Sequence, residues 1–505
     1  MYRRAGDAPY WLLSALIVCA GLMQASSTFV ERASERMRAG DLPAAEAELN
    51  AAIQSGIEDA DTWNLLGLIC SRTGRLDQAI AYYRRALRLA PSLEAARNGL
   101  GAAYIQRGDL EEASKLFQAA LDTTPNDVTA RFNIGVILAE QGRYANSIGS
   151  LETAHKLAPG DAVVSMWLAR VNMAAGDRQH ALESLDAALG SMAKSSRGHT
   201  NAGLVAEALE VSARLRAASP DARTLFVLAE AQFLAGKYDA AIESLAQMPQ
   251  HERRPEYYRL LGMSYVGRKE LAAATDTLKR GLKLAPTNAD LLFSIGTVYQ
   301  GAGDNEKAIG VFRRAIAAGD RSAEVQFALA LSYFNLGSYQ QAVNHSNLAI
   351  QSNTEFDQAW VLLGRSYSKL AQPERAIAAL KKSLAINPMC EQCHLQLGLI
   401  LSQRDNPGAE AEKALREAIR LNPGDVTAHY ELGRILAKQN HAQEAITELR
   451  KTIELDSKND RAYYQLGRVY LAMGDEANAR ICLDTVRDLK EKRRAASEEH
   501  LSRSR

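Results

Sequence analysis

Residues Cys390-Glu391-Gln392-Cys393-His394 have the spacing of a chemical site within this 505-residue chain. Two thiols three places apart, followed by an imidazole, spell the C-x-x-C-H pattern of c-type haem attachment. There the thiols add to the vinyl groups and the histidine becomes an axial iron ligand. The same pair could close as a disulfide, hold a metal ion, or be two reduced thiols packed in a core. Packing is the plainest reading. Pro388 lies just before the motif, and Cys393 and His394 take places three and four of a repeating unit whose next copy has His429 at place four. Haem also needs a pocket and usually a second axial ligand, and the neighbouring sequence supplies neither. The expectation is therefore no cofactor and no metal, with Cys390, Cys393 and His394 as the residues that would carry either.

Other catalytic patterns are missing. The histidines His155, His180, His199, His251, His345, His429, His441 and His500 form no ligand-spaced pair. A Gly-rich phosphate loop needs a preceding strand, and none is expected. Scattered carboxylates read as solvated helix faces. With 60 Lys and Arg against 59 Asp and Glu, the net charge of +1 gives no footprint for a polyanion, so nucleic acid is not an expected partner. Five cysteines over this length exclude a disulfide scaffold.

What must position any site is a repeat. A small residue recurs at Ala33, Gly67, Gly101, Gly135 and Ala169, then at Ala229, Gly262, Gly296, Ala330, Gly364, Gly398, Gly433 and Gly467. The steps within each run are 34, apart from one 33 and one 35. A fixed period of this length means stacked copies of a unit too small to bury its own apolar face. In residues 60–93, Trp63, Leu66, Gly67 and Cys70 share one helix face, Gly74 breaks the helix, and Leu76, Ala79, Ile80, Tyr83, Ala86, Leu87 and Leu89 form a second stripe before Pro91. A mid-helix glycine costs about 1 kcal/mol relative to alanine. Close approach of the two helices is the physical reason to keep it.

These residues resemble the tetratricopeptide repeat, whose pattern is W-x2-L-G-x2-Y followed by Gly, Ala, an aromatic, Ala and Pro. Residues 94–127 carry it as Leu100-Gly101, Tyr104, Gly108, Ala113, Phe117, Ala120 and Pro125. Residues 357–390 carry Trp360, Leu363-Gly364, Tyr367, Ala376, Leu380 and Pro388, and residues 289–322 carry Ile295-Gly296, Tyr299, Gly303, Ala308, Phe312 and Ala315. Thirteen copies start near 26, 60, 94, 128, 162, 222, 255, 289, 323, 357, 391, 426 and 460. The resemblance implies an all-α fold, a right-handed solenoid of helix-turn-helix repeats. Some members carry a catalytic domain after the repeats; this chain runs on for only about 20 residues, so a non-enzyme is expected.

The expected organisation is a signal peptide or membrane anchor over 1–27, an N-terminal block of about five repeats over 28–190, a degenerate repeat or linker over 191–221, a C-terminal block of eight repeats over 222–486, and a charged capping helix or tail over 487–505. The linker reading rests on the polar run 190–203, followed by a helix-like run from Leu204 to Ala217. An extra residue near Asp405-Asn406-Pro407-Gly408 reads as a lengthened turn. At the N-terminus, Arg3 and Arg4 precede the apolar run Trp11–Met23 and then small residues, the order of an export signal. That run is shorter than the roughly 20 residues that span a bilayer. Export, or anchoring through an uncleaved N-terminus, is expected ahead of a cytoplasmic location.

In the family, first helices line the concave side, and places 2, 5, 9 and 12 point into it; the spacing does put them on one helical face. Place 5 supplies Phe132, Met166, Phe226, Phe293 and Phe327, then Tyr430 and Tyr464. Place 9 supplies Arg365, Arg434 and Arg468, joined by Arg461 at place 2. An apolar central groove and a cationic, Tyr-lined C-terminal end are expected, the latter suited to an acidic peptide or a carboxylate. The functional expectation is a non-catalytic scaffold that binds other proteins or peptides in envelope or secretion-complex assembly. The alternatives are an exported redox or cofactor carrier built on residues 390–394 and a cytoplasmic regulatory scaffold.

Overall fold

The computed structural model describes residues 29–37, 40–194, 202–404 and 408–503. The expected signal segment, residues 195–201 of the polar run 190–203 and the lengthened turn at 405–407 lie outside the described residues. The described chain is helical, and its elements alternate as the period requires: Ala60–Arg72 with Leu76–Leu89, Glu94–Arg107 with Leu110–Thr123, and onward in the same register. It is an all-α tetratricopeptide-type solenoid.

Local chemistry explains the boundaries. Most first helices begin at a polar cap: Asp59 accepts from the Thr62 N–H at 2.7 Å, Asp127 from Ala130 at 2.9 Å, Asn288 from Leu291 at 3.0 Å and Asp425 from Ala428 at 2.9 Å; those starting at Glu94, Pro255 and Asp357 have none. The turn between paired helices needs one left-handed residue. Glycine fills it at Gly74, Gly108, Gly142, Gly303 and Gly337, but Lys269, Ala371 and Asn440 stand there with φ of 65°, 54° and 63°. A side chain in that region costs about 1–2 kcal/mol. Ala371→Gly is therefore expected to raise stability, by about 0.5–1 kcal/mol after the added unfolded-state entropy of glycine; a denaturant midpoint that stays or falls would count against the strain.

The core lies between the two helices of each pair. Leu66, Cys70, Tyr83, Ala79 and Ala86 are buried, whereas Leu89, read as part of the second stripe, is 53 % exposed. The periodic glycines do bring helices together. A Cβ on Gly67 would stand 2.7 Å from the Tyr83 ring, and one on Gly135 would stand 2.6 Å from Leu151 Cγ. Arginines on some second helices tie their repeat to the next: Arg84 donates to the Tyr104 hydroxyl at 2.9 Å and Arg450 to that of Tyr470 at 2.7 Å. First helices of successive repeats also pack on one another, which puts them together on one side within each unit.

The chain divides into two compact units after Glu252, not in the 191–221 segment. Helix Ala202–Ala218 packs on Ala162–Ala174, Arg178–Lys194 and Ala222–Leu234, in one cluster with Met166, Leu185, Leu215 and Val227. The degenerate repeat thus continues the N-terminal core. The break falls just after the short second helix Tyr238–Ala246, where the chain turns through Gln250–Glu252 to Pro255.

The second unit runs from helix Pro255–Gly267 to helix Glu476–Arg503. The last helix is continuous through residue 487, so the charged tail extends the final repeat instead of following it. Arg493 fastens it, donating to Asp460 Oδ1 at 2.9 Å and to the Lys458 carbonyl at 3.0 Å. Within this unit His345 stacks on Tyr333, with Nδ1 2.9 Å from Gln326 Oε1. Burial, helped by the positive charge of Arg313, pushes its pKa below the usual 6.5. The unfolded chain then takes up the proton more readily, so this contribution is complete above about pH 6.5 and is lost as pH falls through that value. The unfolding midpoint is expected to drop more between pH 7.5 and 5.5 in the native chain than in His345→Gln; equal slopes would contradict it.

Candidate functional site

Helix Val426–Lys438 starts at the Asp425 cap and helix Asp460–Ala472 at the Asn459 cap, where Asn459 accepts from Ala462 at 3.1 Å. Equal phase in the repeat sends Arg434 and Arg468 to one side of the stack. They line a cleft of about 500 Å³ with Lys438, Asn440 and Gln465, over a floor that includes Val469, Ala472 and Met473. Arg468 is exposed. Arg434 is half-buried and engaged: its Nε donates to Glu431 at 2.9 Å, and its Nη2 donates to the Ser402 carbonyl at 3.0 Å. Its charge is largely offset by Glu431, and its first duty is to join two repeats.

The remaining expected groove residues divide. Tyr464 is 48 % exposed and lines a second opening with Arg487, Lys490 and Arg494. Arg461 is exposed, and Tyr430 is half-buried against the core; neither lines the Arg434–Arg468 cleft. Arg365 sits over the Phe334 ring at 4.6 Å, so its guanidinium face is occupied.

The apolar stretch needs correction. Met166 is fully buried and offers no surface to a partner, because helix Ala202–Ala218 covers its face of Ala162–Ala174. Phe132 packs edge-on to Trp167 at 6.2 Å, Phe293 against Phe312 at 5.8 Å and Phe327 against Phe356 at 5.1 Å. These rings are half-buried, as is Phe226. Place 5 in the middle copies mainly supports packing.

Sequence reasoning missed Lys438, Asn440 and Gln465 because they lie off the four groove places. A register count carried into the turn after the first helix reaches Lys438 and Asn440.

The cysteine motif also departs from the expectation of reduced thiols. Cys390 and Cys393 are joined as a disulfide, with Cα atoms 5.3 Å apart, at the start of helix Glu391–Ser402. Haem does not fit these residues. Cys393 is fully buried, its sulfur lies 3.2 Å from Ser383 Oγ, and His394 Nε2 is held 2.9 Å from the Pro388 carbonyl. Among the described residues no group of three or more His, Cys, Asp or Glu is placed to hold a metal ion. None of their helices is long and apolar enough to cross a membrane.

A stack of helix pairs with open clefts between first helices defines a protein-interaction scaffold. Families described as Tetratricopeptide repeat match residues 58–126, 98–162, 138–201, 222–247 and 437–497. The Cytochrome c-type biogenesis protein H TPR domain matches residues 346–460, and Anaphase-promoting complex, cyclosome, subunit 3 matches 301–383. The chain belongs to the tetratricopeptide-repeat family. No curated protein matches it significantly. Similar solved structures include the APC/C hetero-tetramer Cut9-Hcn1, at 12% identity and TM-score 0.41 over 86% of this chain and 95% of that one. Yeast Tom70 aligns at 15% identity and TM-score 0.38 over 88% and 98%. YrrB, a TPR protein with an unusual peptide-binding site, aligns at 19% identity and TM-score 0.33 over 37% and 96%.

Proposed function

We propose that this scaffold is exported and holds an acidic segment or free carboxylate of a partner protein at the C-terminal end of its first-helix surface, during assembly of an envelope or secretion complex. The observation that carries the reading is the cleft that Arg434, Lys438 and Arg468 share over a partly apolar floor. Arg468 has a free fork for bidentate contact with a carboxylate, and Val469 and Met473 offer area to an adjoining side chain. The likeness of residues 346–460 to a cytochrome c-type biogenesis domain supports a role in assembly. Export is supported by the basic-then-apolar N-terminus and by a disulfide, which persists in oxidising compartments.

The test is fluorescence anisotropy with labelled peptides of one length: acidic with a free C-terminus, the same peptide amidated, and a neutral scramble. The acidic free-carboxylate peptide is expected to bind tightest and to weaken as salt rises. Equal affinity for all three would overturn the reading.

A further inference from the structure

We propose that Cys390 and Cys393 form a thiol–disulfide exchange site that oxidises a dithiol on another protein. This goes beyond the scaffold reading and stands apart from the Arg468 cleft, so either can fail alone.

The position of the pair carries the inference. Cys390 is the cap residue of helix Glu391–Ser402, the place where other copies put Asp59, Asp127, Asn288, Asp425 and Asn459. Its sulfur accepts the Cys393 N–H at 3.2 Å, as those oxygens accept theirs. A thiolate there keeps the Cys393 N–H as a donor and lies at the positive end of the helix dipole, which stabilises the anion and favours the reduced pair. A disulfide whose reduced form is favoured in this way is an oxidant.

The two sulfurs differ in access. Cys390 is half-buried, beside Met389, which is 54 % exposed; Cys393 is fully buried. An incoming thiolate therefore attacks Cys390 Sγ. As the new S–S bond forms, the Cys390–Cys393 bond breaks and its electron pair leaves on Cys393 Sγ. The Ser383 hydroxyl, itself buried, lies 3.2 Å from that sulfur and can donate to it. The partner's second thiolate then attacks the partner sulfur of the mixed disulfide and releases Cys390 as a thiolate at the helix cap. Two electrons pass from the partner dithiol to this chain; of the dithiol's two protons one ends on Cys393 Sγ and the other in solvent, and the partner leaves as a disulfide. Met389 and Pro388, both exposed, give the partner a small apolar contact next to the reacting sulfur.

The probe is a reduced peptide with two cysteines two residues apart, mixed with the oxidised full chain. Thiols are trapped with N-ethylmaleimide, and the peptide spanning 383–404 is weighed, with circular dichroism followed throughout. The expected result is one peptide disulfide formed per chain, with Cys390 and Cys393 both labelled, Cys70 and Cys482 unlabelled and helicity unchanged. With a one-cysteine peptide activated as its thionitrobenzoate mixed disulfide, so that nitrothiophenolate leaves, Cys393→Ser should join the peptide through Cys390 roughly tenfold faster than Cys390→Ser joins it through Cys393. A bond that resists the dithiol until the helices melt, or equal trapping by the two variants, would overturn the proposal. The native chain alone decides the first point if either variant folds poorly.

Discussion

Gly101→Leu is expected to unfold its region of the N-terminal unit. A Cβ at Gly101 would run into the ring of Phe117, which is fully buried on the facing helix Leu110–Thr123. The ring sits in one cluster with Leu100, Tyr104 and Ala120 and has no open side to swing into. Overpacking of this kind costs about 1–3 kcal/mol for small additions, and leucine adds a whole branched side chain. The control is Gly467→Ala, whose Cβ would meet its nearest neighbour, Cys482 Cβ, at 3.3 Å. A guanidinium titration followed by circular dichroism should show an early transition for Gly101→Leu and a small shift for Gly467→Ala. Similar midpoints for both would mean that the periodic glycines are not set by helix approach.

The largest expected effect on binding belongs to Lys438→Glu/Arg468→Glu. Arg434 is left intact because it holds the Ser402 carbonyl and Glu431 across two repeats, so reversing it would confound packing with recognition. The double reversal changes the local charge by four and places two carboxylates where an acidic ligand must sit. Like-charge contact costs several kcal/mol when partly desolvated. Affinity for the acidic free-carboxylate peptide is expected to fall about 100-fold, which corresponds to about 2.7 kcal/mol. A loss below threefold, with the fold intact, would move the site elsewhere.

The sequence revealed the fold because one requirement repeats: Gly67, Gly101, Gly296 and their equivalents must admit a second-helix side chain, and the chain repeats that solution at near-constant spacing. The site was less legible. Phase alone placed Arg434 and Arg468 on one side, and they do share a cleft. It did not reveal that Glu431, at place 6 and so off the four groove places, already pairs with Arg434, or that Phe334, at place 12 of the preceding copy, already lies under Arg365. Met166 was misread because its covering helix belongs to the copy whose pattern has decayed. The C-x-x-C spacing alone does not separate the Cys390–Cys393 bond from a packed pair of thiols. The signal was present in the cap position, where a sulfur replaces the Asp or Asn of other copies.

The most direct test of the scaffold reading is crosslinking from native host extract. Tagged full-length protein and its Lys438→Glu/Arg468→Glu form would be used side by side, with crosslinked peptides identified by mass. The expected result is a partner whose acidic segment crosslinks within the Val426–Ala472 region of the native chain and is absent from the variant. The same partner joined equally to both forms would contradict a C-terminal carboxylate cleft.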